Sequence, residues 1–211
     1  MVATQIRNLT LHDVHEQFQL QPTRELSFFP EWQGDFLDIS ESDRLILNQI
    51  QTDYLYMSED VMQENAVKMV VLSPLLSLAG FYRPPFRLVT EKTVKITTKD
   101  QGRVFRGFID VLVLHKRLWM LVVESKGNTF SLEVARPQAL TYMLGNPSVH
   151  SSSELSTFGL ITNGVSFRFL KAVGRRYGES DEFYVGNSED LVRVLQILRR
   201  LGGVMQSLEH C

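Results

Sequence analysis

Cysteine is almost absent from the 211-residue sequence, and the only one, Cys211, excludes an intramolecular disulfide and a zinc site built from cysteines. Neither a Gly-x-Ser-x-Gly nor a Gly-x-x-x-x-Gly-Lys-Ser/Thr motif is present, so a nucleophile elbow and a P-loop are both unsupported. The longest apolar stretch, residues 67–82, is interrupted and too short for a bilayer, and residues 1–16 lack the apolar run of a signal peptide. We therefore expect a cytoplasmic protein that does not enter the membrane.

Lysine is missing from residues 1–64, which contain 12 Asp and Glu and three Arg, a net charge of -9. Residues 65–211 contain 19 Lys and Arg against 12 Asp and Glu, a net charge of +7. The overall formal charge of -2 hides this asymmetry. The asymmetry is compatible with charges scattered over solvated faces, and also with a basic functional region that follows an acidic leader.

Hydrophobic periodicity predicts an ordered chain after residue 40. Residues 1–40 indicate a loosely structured leader or edge elements. The predicted helices are 42–56, 58–79 with a kink at Pro74, 132–144 and 188–201. The predicted strands are 86–98, 104–114, 118–124, 158–162 and 165–170, with turns at 99–102 and at Asn163-Gly164, and residues 147–153 form a polar loop. This order predicts an α/β fold in which helices flank a mixed central sheet.

Three charged residues lie in the most apolar strands: Asp110, Glu124 and Lys126. A carboxylate in an apolar run is costly unless it is paired or binds a cation. The hairpin of 104–114 and 118–124 places Asp110 opposite Glu124 only if the turn has odd length or a bulge intervenes. A slip of one residue would put the two carboxylates on opposite faces.

Two carboxylates and a lysine at a strand end have the chemistry of a hard-cation site. Bound Mg²⁺ would polarise a phosphoryl oxygen and lower the pKa of a bound water. Lys126 could hold the attacking water, help to deprotonate it, or neutralise charge on the phosphorane. The alternative is a buried ion pair of Lys126 with Glu124 or Asp110 that binds no ligand.

The arrangement of Asp110 followed by Glu124-Ser125-Lys126 resembles the signature of PD-(D/E)XK nucleases, with Ile109 where that signature often has proline. An E-x-K tripeptide alone is common by chance, so this match needs support from the rest of the chain.

Further matches occur in the same order along residues 58–171. Residues 64–81 are similar to the first helix of the N-terminal nuclease domain of type I restriction enzyme R subunits, where a Glu lies ten residues before Pro-Leu-Leu and the helix ends at Gly-aromatic. Residues 138–142 resemble the helix that follows the catalytic lysine in that family. Residues 160–169 resemble its Thr-Asn-Gly hairpin.

This resemblance implies a restriction endonuclease-like domain at 58–211, preceded by an acidic N-terminal extension at 1–57 with at least one helix. It implies Mg²⁺ or Mn²⁺ as cofactor. The implied metal ligands are Asp110, Glu124, the Ser125 carbonyl and Glu64, and the implied catalytic residues are Asp110, Glu124, Lys126 and Gln138. Glu64 could instead be a surface charge and Gln138 a solvent-facing helix residue. Tyr142, one turn after Gln138, is expected to be a core aromatic.

Basic residues flank the first predicted hairpin and follow the last predicted strand, where they could contact phosphates without reading sequence. The candidates are Lys92, Lys95, Lys99, Arg103, Arg106, Arg168, Lys171, Arg175 and Arg176. The loop at Arg175-Arg176 is the preferred contact. A solvated basic face is the alternative for any one of them.

Two functions follow. The first is a metal-dependent nuclease that hydrolyses DNA. The second is a catalytically silent protein of the same fold that binds nucleic acid or acts in assembly. R subunits carry a translocating motor for which this sequence has no P-loop, so a motor or specificity subunit would be a separate chain, and a homodimer is also open.

Overall fold

Strands of one mixed sheet alternate with helices along the chain. The structure is a computed structural model that describes residues 4–97, 103–115, 118–146 and 155–207. The turn at 99–102 with Lys99, the loop at 147–153 and Cys211 lie outside these residues. The helices are α1 (Leu11–Phe18), α2 (Glu41–Met57), α3 (Glu64–Val67), α4 (Ser73–Leu78), α5 (Leu132–Leu144) and α6 (Ser188–Ser207). The strands are β1 (Thr4–Gln5), β2 (Gln21–Pro22), β3 (Phe86–Thr97), β4 (Val104–His115), β5 (Leu118–Ser125), β6 (Ser156–Thr162), β7 (Ser166–Val173) and β8 (Arg176–Tyr184).

The sheet has the strand order β1-β4-β5-β6-β7-β8-β2, and β3 pairs with β4 as well. The pairs β1–β4, β5–β6 and β2–β8 are parallel, and the other pairs are antiparallel. The predicted α/β class with a mixed central sheet is confirmed. Among the described residues, no helix is long and apolar enough to cross a membrane.

Two hydrophobic cores lie on the two faces of the sheet. In the first, Leu47 of α2, Leu75 of α4 and Leu195 of α6 are buried with the strands. In the second, Val14 of α1 and Ala139 of α5 are buried with the strands. Strands β4 and β5 supply residues to both cores, as expected for a hairpin buried on both faces.

The N-terminal residues form edge elements. Strand β1 pairs with β4, and β2 pairs with β8 at the far end of the sheet. Ile6 and Val14 are fully buried and Leu20 is 1% exposed, so this segment completes the second core. The treatment of residues 1–57 as a separate extension stays a prediction, but these residues contribute to both cores.

The helix predicted at 58–79 begins six residues later, at Glu64. Ser58 ends α2, where its N–H donates to the Tyr54 carbonyl, and the next helix starts at Glu64. Residues 68–72 then form a π-helical segment. Pro74 has no N–H and its ring collides with the carbonyl four residues earlier, which accounts for the widened turn. The predicted kink therefore takes the form of a π segment.

The β6–β7 hairpin has a three-residue loop, not the predicted two-residue turn. Strand β6 ends at Thr162 and β7 begins at Ser166. The Asn163 Oδ1 atom accepts hydrogen bonds from Val165 N and Ser166 N, and Gly164 has a φ of +83°. The asparagine side chain closes the loop and fixes the extra residue.

The sequence did not predict strand β8. The loop predicted at Arg175-Arg176 is wrong for Arg176, which lies in this strand. Val173 pairs with Arg176, so Arg176 is already the first residue of β8. The centre of β8 is Glu179-Ser-Asp-Glu182, which lacks the β-branched residues on which strand prediction depends.

Candidate active site

The candidate site lies at a gap in the sheet beside β4. Strand β3 pairs with one edge of β4 at residues 104–109 and 111–115. The other edge pairs with β5 at residues 111–115 and with β1 at Phe105 and Arg106. Residues 107–110 lie between these two pairings, and no strand of the described chain pairs with them on that edge. Side chains from several elements collect at this gap.

A cleft of about 560 Å³ opens there. Its walls contain the predicted site side chains of α3, of the β4–β5 hairpin and the residue that follows it, and of α5. The lining residues are Gln5, Arg7, Glu64, Gly107, Phe108, Asp110, Glu124, Lys126, Gln138 and Tyr142. The sequence did not indicate Gln5 and Arg7, because the parallel pairing of β1 with β4 joins residues about one hundred positions apart.

The condition on strand register is met by a β-bulge. Val111 pairs with Val123 and Val113 with Leu121, but Leu114 pairs with Trp119, so the register shifts by one residue. Continued by one position beyond Val111, the register sets Asp110 opposite Glu124. The irregularity near the turn is therefore what aligns the two carboxylates.

Asp110 is held by three hydrogen bonds. Its Oδ2 atom accepts from Ser125 N at 2.7 Å and from Ser125 Oγ at 3.1 Å. Its Oδ1 atom accepts from Lys68 Nζ at 2.9 Å. Ser125 thus enters the site through its N–H and hydroxyl, and a metal-ligand role of its carbonyl stays a prediction.

Glu124 is 3% exposed, the most deeply buried carboxylate of the cleft. Its Oε1 atom accepts a hydrogen bond from Lys126 Nζ at 2.6 Å. Its Oε2 atom is buried and has no hydrogen-bond partner among the described residues. Burial and the neighbouring Asp110 charge raise the pKa of Glu124 to about 8, although Lys126 acts in the opposite direction.

Lys68 is a site residue that the sequence analysis missed. Its Nζ atom lies 2.7 Å from Glu64 Oε1 and 2.9 Å from Asp110 Oδ1, so it bridges the two carboxylates. Burial lowers the pKa of Lys68, but the hydrogen bonds with Glu64 and Asp110 outweigh burial and raise it, which keeps the ammonium charged. The i,i+4 spacing from Glu64 was the available signal.

Gln138 and Tyr142 form the α5 wall. Gln138 is 4% exposed, so it is not the solvent-facing residue of the alternative interpretation, and its Oε1 atom has no partner among the described residues. The Tyr142 hydroxyl accepts from Phe108 N at 3.2 Å and so fills the gap in the sheet. A side chain on Gly107 would lie 2.4 Å from that hydroxyl, which explains the glycine. Burial raises the pKa of Tyr142.

The donor set suits a hard cation, since it offers carboxylate oxygens, one of them buried and unpartnered among the described residues. In the described part of the chain, however, no three His, Cys, Asp or Glu residues are close enough to hold a metal ion. The ammonium groups of Lys68 and Lys126 stand between the carboxylates instead. A divalent cation would have to displace at least one of them.

The basic residues predicted to contact nucleic acid do not line the cleft. Lys92, Lys95 and Arg106 are exposed on β3 and β4. Arg103, also exposed, donates to Gln17 at 3.2 Å.

The basic residues of β7 and β8 are engaged with acidic or polar side chains. Arg168 forms ion pairs with Glu133, Glu179 and Glu182, and Lys171 forms one with Glu31 at 2.7 Å. Arg175 donates to Gln19, and Arg176 pairs with Glu25 at 2.7 Å. Phosphate contact by these four residues stays a prediction, which the charge pairing makes weakest for Arg168 and Lys171.

No protein-family model and no curated protein sequence matches the chain. A solved fragment described as a putative HsdR subunit of a type I restriction enzyme from Vibrio vulnificus YJ016 is similar over 64% of this chain, with 19% identity and a TM-score of 0.40. The match covers 25% of that fragment, so the chain spans about a quarter of its length.

Proposed function

We propose that this protein is a metal-dependent nuclease of the PD-(D/E)XK type, with a restriction endonuclease-like core, which hydrolyses DNA phosphodiester bonds. One observation carries the proposal. Asp110 and Glu124 directly follow the last pair of a bulged hairpin, Val111–Val123, and line an open cleft beside Lys126, and a buried Glu124 oxygen lacks a partner among the described residues. A structural ion pair alone would leave that oxygen unexplained.

Asp110 and Glu124 would hold Mg²⁺ or Mn²⁺, with Glu64 reaching it directly or through a water and the Ser125 carbonyl as a further ligand. When bound, the ion supplies Lewis-acid stabilisation of a phosphoryl oxygen and a more acidic water. Ser125 holds Asp110 in place through two hydrogen bonds to Oδ2, so that Oδ1, which now accepts from Lys68, would be the oxygen available to a cation that displaces this lysine. The geometry is therefore fixed by the end of β5.

Lys126 would orient the attacking water and neutralise charge that develops on the phosphate. Its ammonium lies 2.6 Å from Glu124 and 3.9 Å from Glu64, so two carboxylates hold it inside the cleft. Gln138 would position Lys126 through its Oε1 atom, which has no partner in the described chain and can accept from the ammonium, or it would donate from Nε2 to a phosphate oxygen. Both residues act on groups that enter the cleft from solvent.

The wild-type protein is expected to cleave DNA in Mg²⁺ or Mn²⁺, and Lys126→Ala is expected to stop cleavage because it removes the cation beside the reacting phosphate. Plasmid and oligonucleotide cleavage assays test this. Arg44→Ala is the matched control, since Arg44 lies outside the cleft lining and makes a surface ion pair of 3.9 Å with Glu189. Absence of cleavage on single-stranded, nicked and duplex DNA with either metal would refute the nuclease.

Lys68→Met is expected to strengthen Mn²⁺ binding by about tenfold, because it removes an ammonium that competes for Glu64 and Asp110. The metal-free variant should unfold at lower temperature than the wild type, since Glu64 and Asp110 both lose the ammonium that lies between them. Thermal unfolding with and without Mn²⁺ measures both effects. A smaller Mn²⁺-induced rise in Tm than in the wild type would contradict this role of Lys68.

A catalytically silent binding or assembly module is the second candidate. It is favoured by the two lysines that already neutralise the carboxylates in the described structure. Calorimetric titration with Mg²⁺ and Mn²⁺ separates the two functions. Binding that disappears in Asp110→Asn supports the nuclease, and absence of binding in the wild type supports the module.

A further inference from the structure

The outer halves of β3 and β4, residues 92–97 and 104–109, form a ribbon that we call the outer ribbon. Its two faces differ sharply. Ile96 and Phe105 are buried in the second core, which anchors one face. On the other face Thr93 pairs with Phe108, and Lys95 pairs with Arg106. These four side chains are all exposed.

A reversal of the buried face separates the outer ribbon from the rest of the hairpin. Val111 and Val113 pack into the first core, whereas Ile109, at the same alternation, packs into the second. Glu91 lies on β3 at this reversal, between the pairs on either side, with a φ of +50°. A left-handed residue in a strand allows such a local rotation. Beyond this reversal the ribbon face that carries Phe108 is exposed, and Phe108 lines the cleft of the candidate site.

The exposed face of the outer ribbon lies next to the carboxylates of the candidate site. Phe108 lines the same cleft as Asp110, Glu124 and Lys126. It is two residues from Asp110, and Arg106 is two residues further, so each step is about 7 Å along the strand. Along β4 the carboxylate, the aromatic ring and the basic pair therefore follow one another at intervals of two residues.

The backbone of Phe108 is anchored although the residue is 61% exposed. Its N–H donates to the Tyr142 hydroxyl, and its strand neighbours Gly107 and Ile109 are buried. The ring is thus presented to solvent by a fixed backbone and costs little entropy when a ligand covers it. Single exposed aromatics are common, but this ring stands between the site carboxylates and two cations.

The surrounding charge is suited to a nucleic-acid backbone. Gln5 of β1 pairs with Arg106, which in turn pairs with Lys95, so three adjoining strands carry one polar and two cationic side chains in one row. Arg7 lines the cleft beside this row. Cations flanking an exposed ring are the elements of a site in which bases stack and phosphates are neutralised.

We propose that the exposed face of the outer ribbon binds an unpaired DNA strand next to the candidate site, with Phe108 stacked on a base and Lys95 and Arg106 in contact with phosphate. This inference rests on the proposed function for the identity of the ligand. The base must be unpaired, because bases in a duplex are stacked on each other and their faces are inaccessible to a side-chain ring. The preferred substrate would then be single-stranded DNA or a frayed end.

Fluorescence anisotropy with labelled 20-mers in EDTA tests the proposal without cleavage. The wild type should bind oligodeoxythymidine more tightly than a duplex of the same length. Phe108→Ala should weaken single-strand binding by about 5-fold or more and duplex binding much less. Phe108→Trp should restore single-strand binding, and Phe130→Ala is the control because Phe130 is 52% exposed outside the ribbon.

The cations are tested by salt dependence in the same assay. Lys95→Ala and Arg106→Ala should each reduce the slope of log affinity against log salt by about 0.7. Oligouridine in a parallel titration decides whether RNA shares the site. Equal affinity for single strand and duplex, or single-strand binding unaffected by Phe108→Ala, would overturn the proposal even if the protein cleaves DNA. Phe108-dependent binding without cleavage would uphold it while the nuclease fails.

Discussion

Asp110→Asn is expected to lower metal-dependent DNA cleavage by about 10³-fold or more with little change in fold, since a carboxylate that would hold the metal ion is lost. The amide oxygen of the new side chain would be a substitute acceptor for Ser125 N, which now donates to Asp110 at 2.7 Å, so the end of β5 should keep its position. The lost charge is the one that a divalent cation requires. kcat/KM on an oligonucleotide and calorimetric Mn²⁺ affinity measure the effect.

Asp53→Asn is the matched control for this substitution. Asp53 is exposed on α2 and accepts a hydrogen bond from Gln49 at 2.7 Å, away from the cleft. It should cleave DNA as the wild type does. If Asp110→Asn retained cleavage within tenfold of the wild type, Asp110 would not be a metal ligand and the proposed site would be wrong.

Glu124→Gln is expected to make the metal-free protein more stable than the wild type at pH 8, with a difference that shrinks as the pH falls. Burial raises the pKa of Glu124 to about 8 in the folded protein, above the ordinary value of 4.5 that applies when unfolded. Between these values the folded state holds a proton that the unfolded state has released. Wild-type stability must therefore fall as the pH rises through this window, by up to about 1.4 kcal/mol per pH unit.

Glutamine does not titrate, so the free energy of unfolding of Glu124→Gln should lack this dependence on pH. Urea unfolding in EDTA at pH 5, 6, 7 and 8 measures the free energy of unfolding of both proteins. Glu59→Gln, in the exposed segment after α2, should follow the wild type. Parallel pH curves for the wild type and Glu124→Gln would show that Glu124 is ionised in the folded protein. The same variant should also lose metal binding and cleavage.

The local pattern predicted much of what surrounds the site. The dense apolar runs at 104–114 and 118–124 indicated a hairpin buried on both faces, and the cost of burying carboxylates singled out Asp110 and Glu124. Whether they face each other depended on one extra residue near Leu114, which composition does not reveal. Lys68 could have been found from its spacing after Glu64.

Other parts of the site had no local signal. Gln5 and Arg7 reach the cleft because β1 pairs in parallel with β4, and parallel pairing between distant segments leaves no periodicity in either. Strand β8 was missed because its centre is polar, although Tyr177 and Phe183 are buried. Its hydrogen bonds with β7 and β2 override a weak strand propensity.

The charge asymmetry has a different meaning once the chain is folded. Acidic residues of the N-terminal part pair with basic residues of the C-terminal part, as in Glu31 with Lys171 and Asp43 with Arg199. Arg199 lowers the pKa of Asp43 to about 2. Part of the basic excess therefore holds the N-terminal segment on the sheet, and fewer cations are left for a phosphate backbone than the net charge of +7 for residues 65–211 indicates.

The sequence by itself determined the α/β class, the central hairpin and the identity of the candidate carboxylates, because these follow from periodicity and from the cost of buried charge. Only the tertiary structure decided that Lys68 bridges two of those carboxylates, that β1 closes the cleft, and which cations are paired. Those contacts join residues as far as 156 positions apart, as in Arg199 with Asp43. Such pairs form only when the chain packs in three dimensions, and the local sequence around either residue does not predict them.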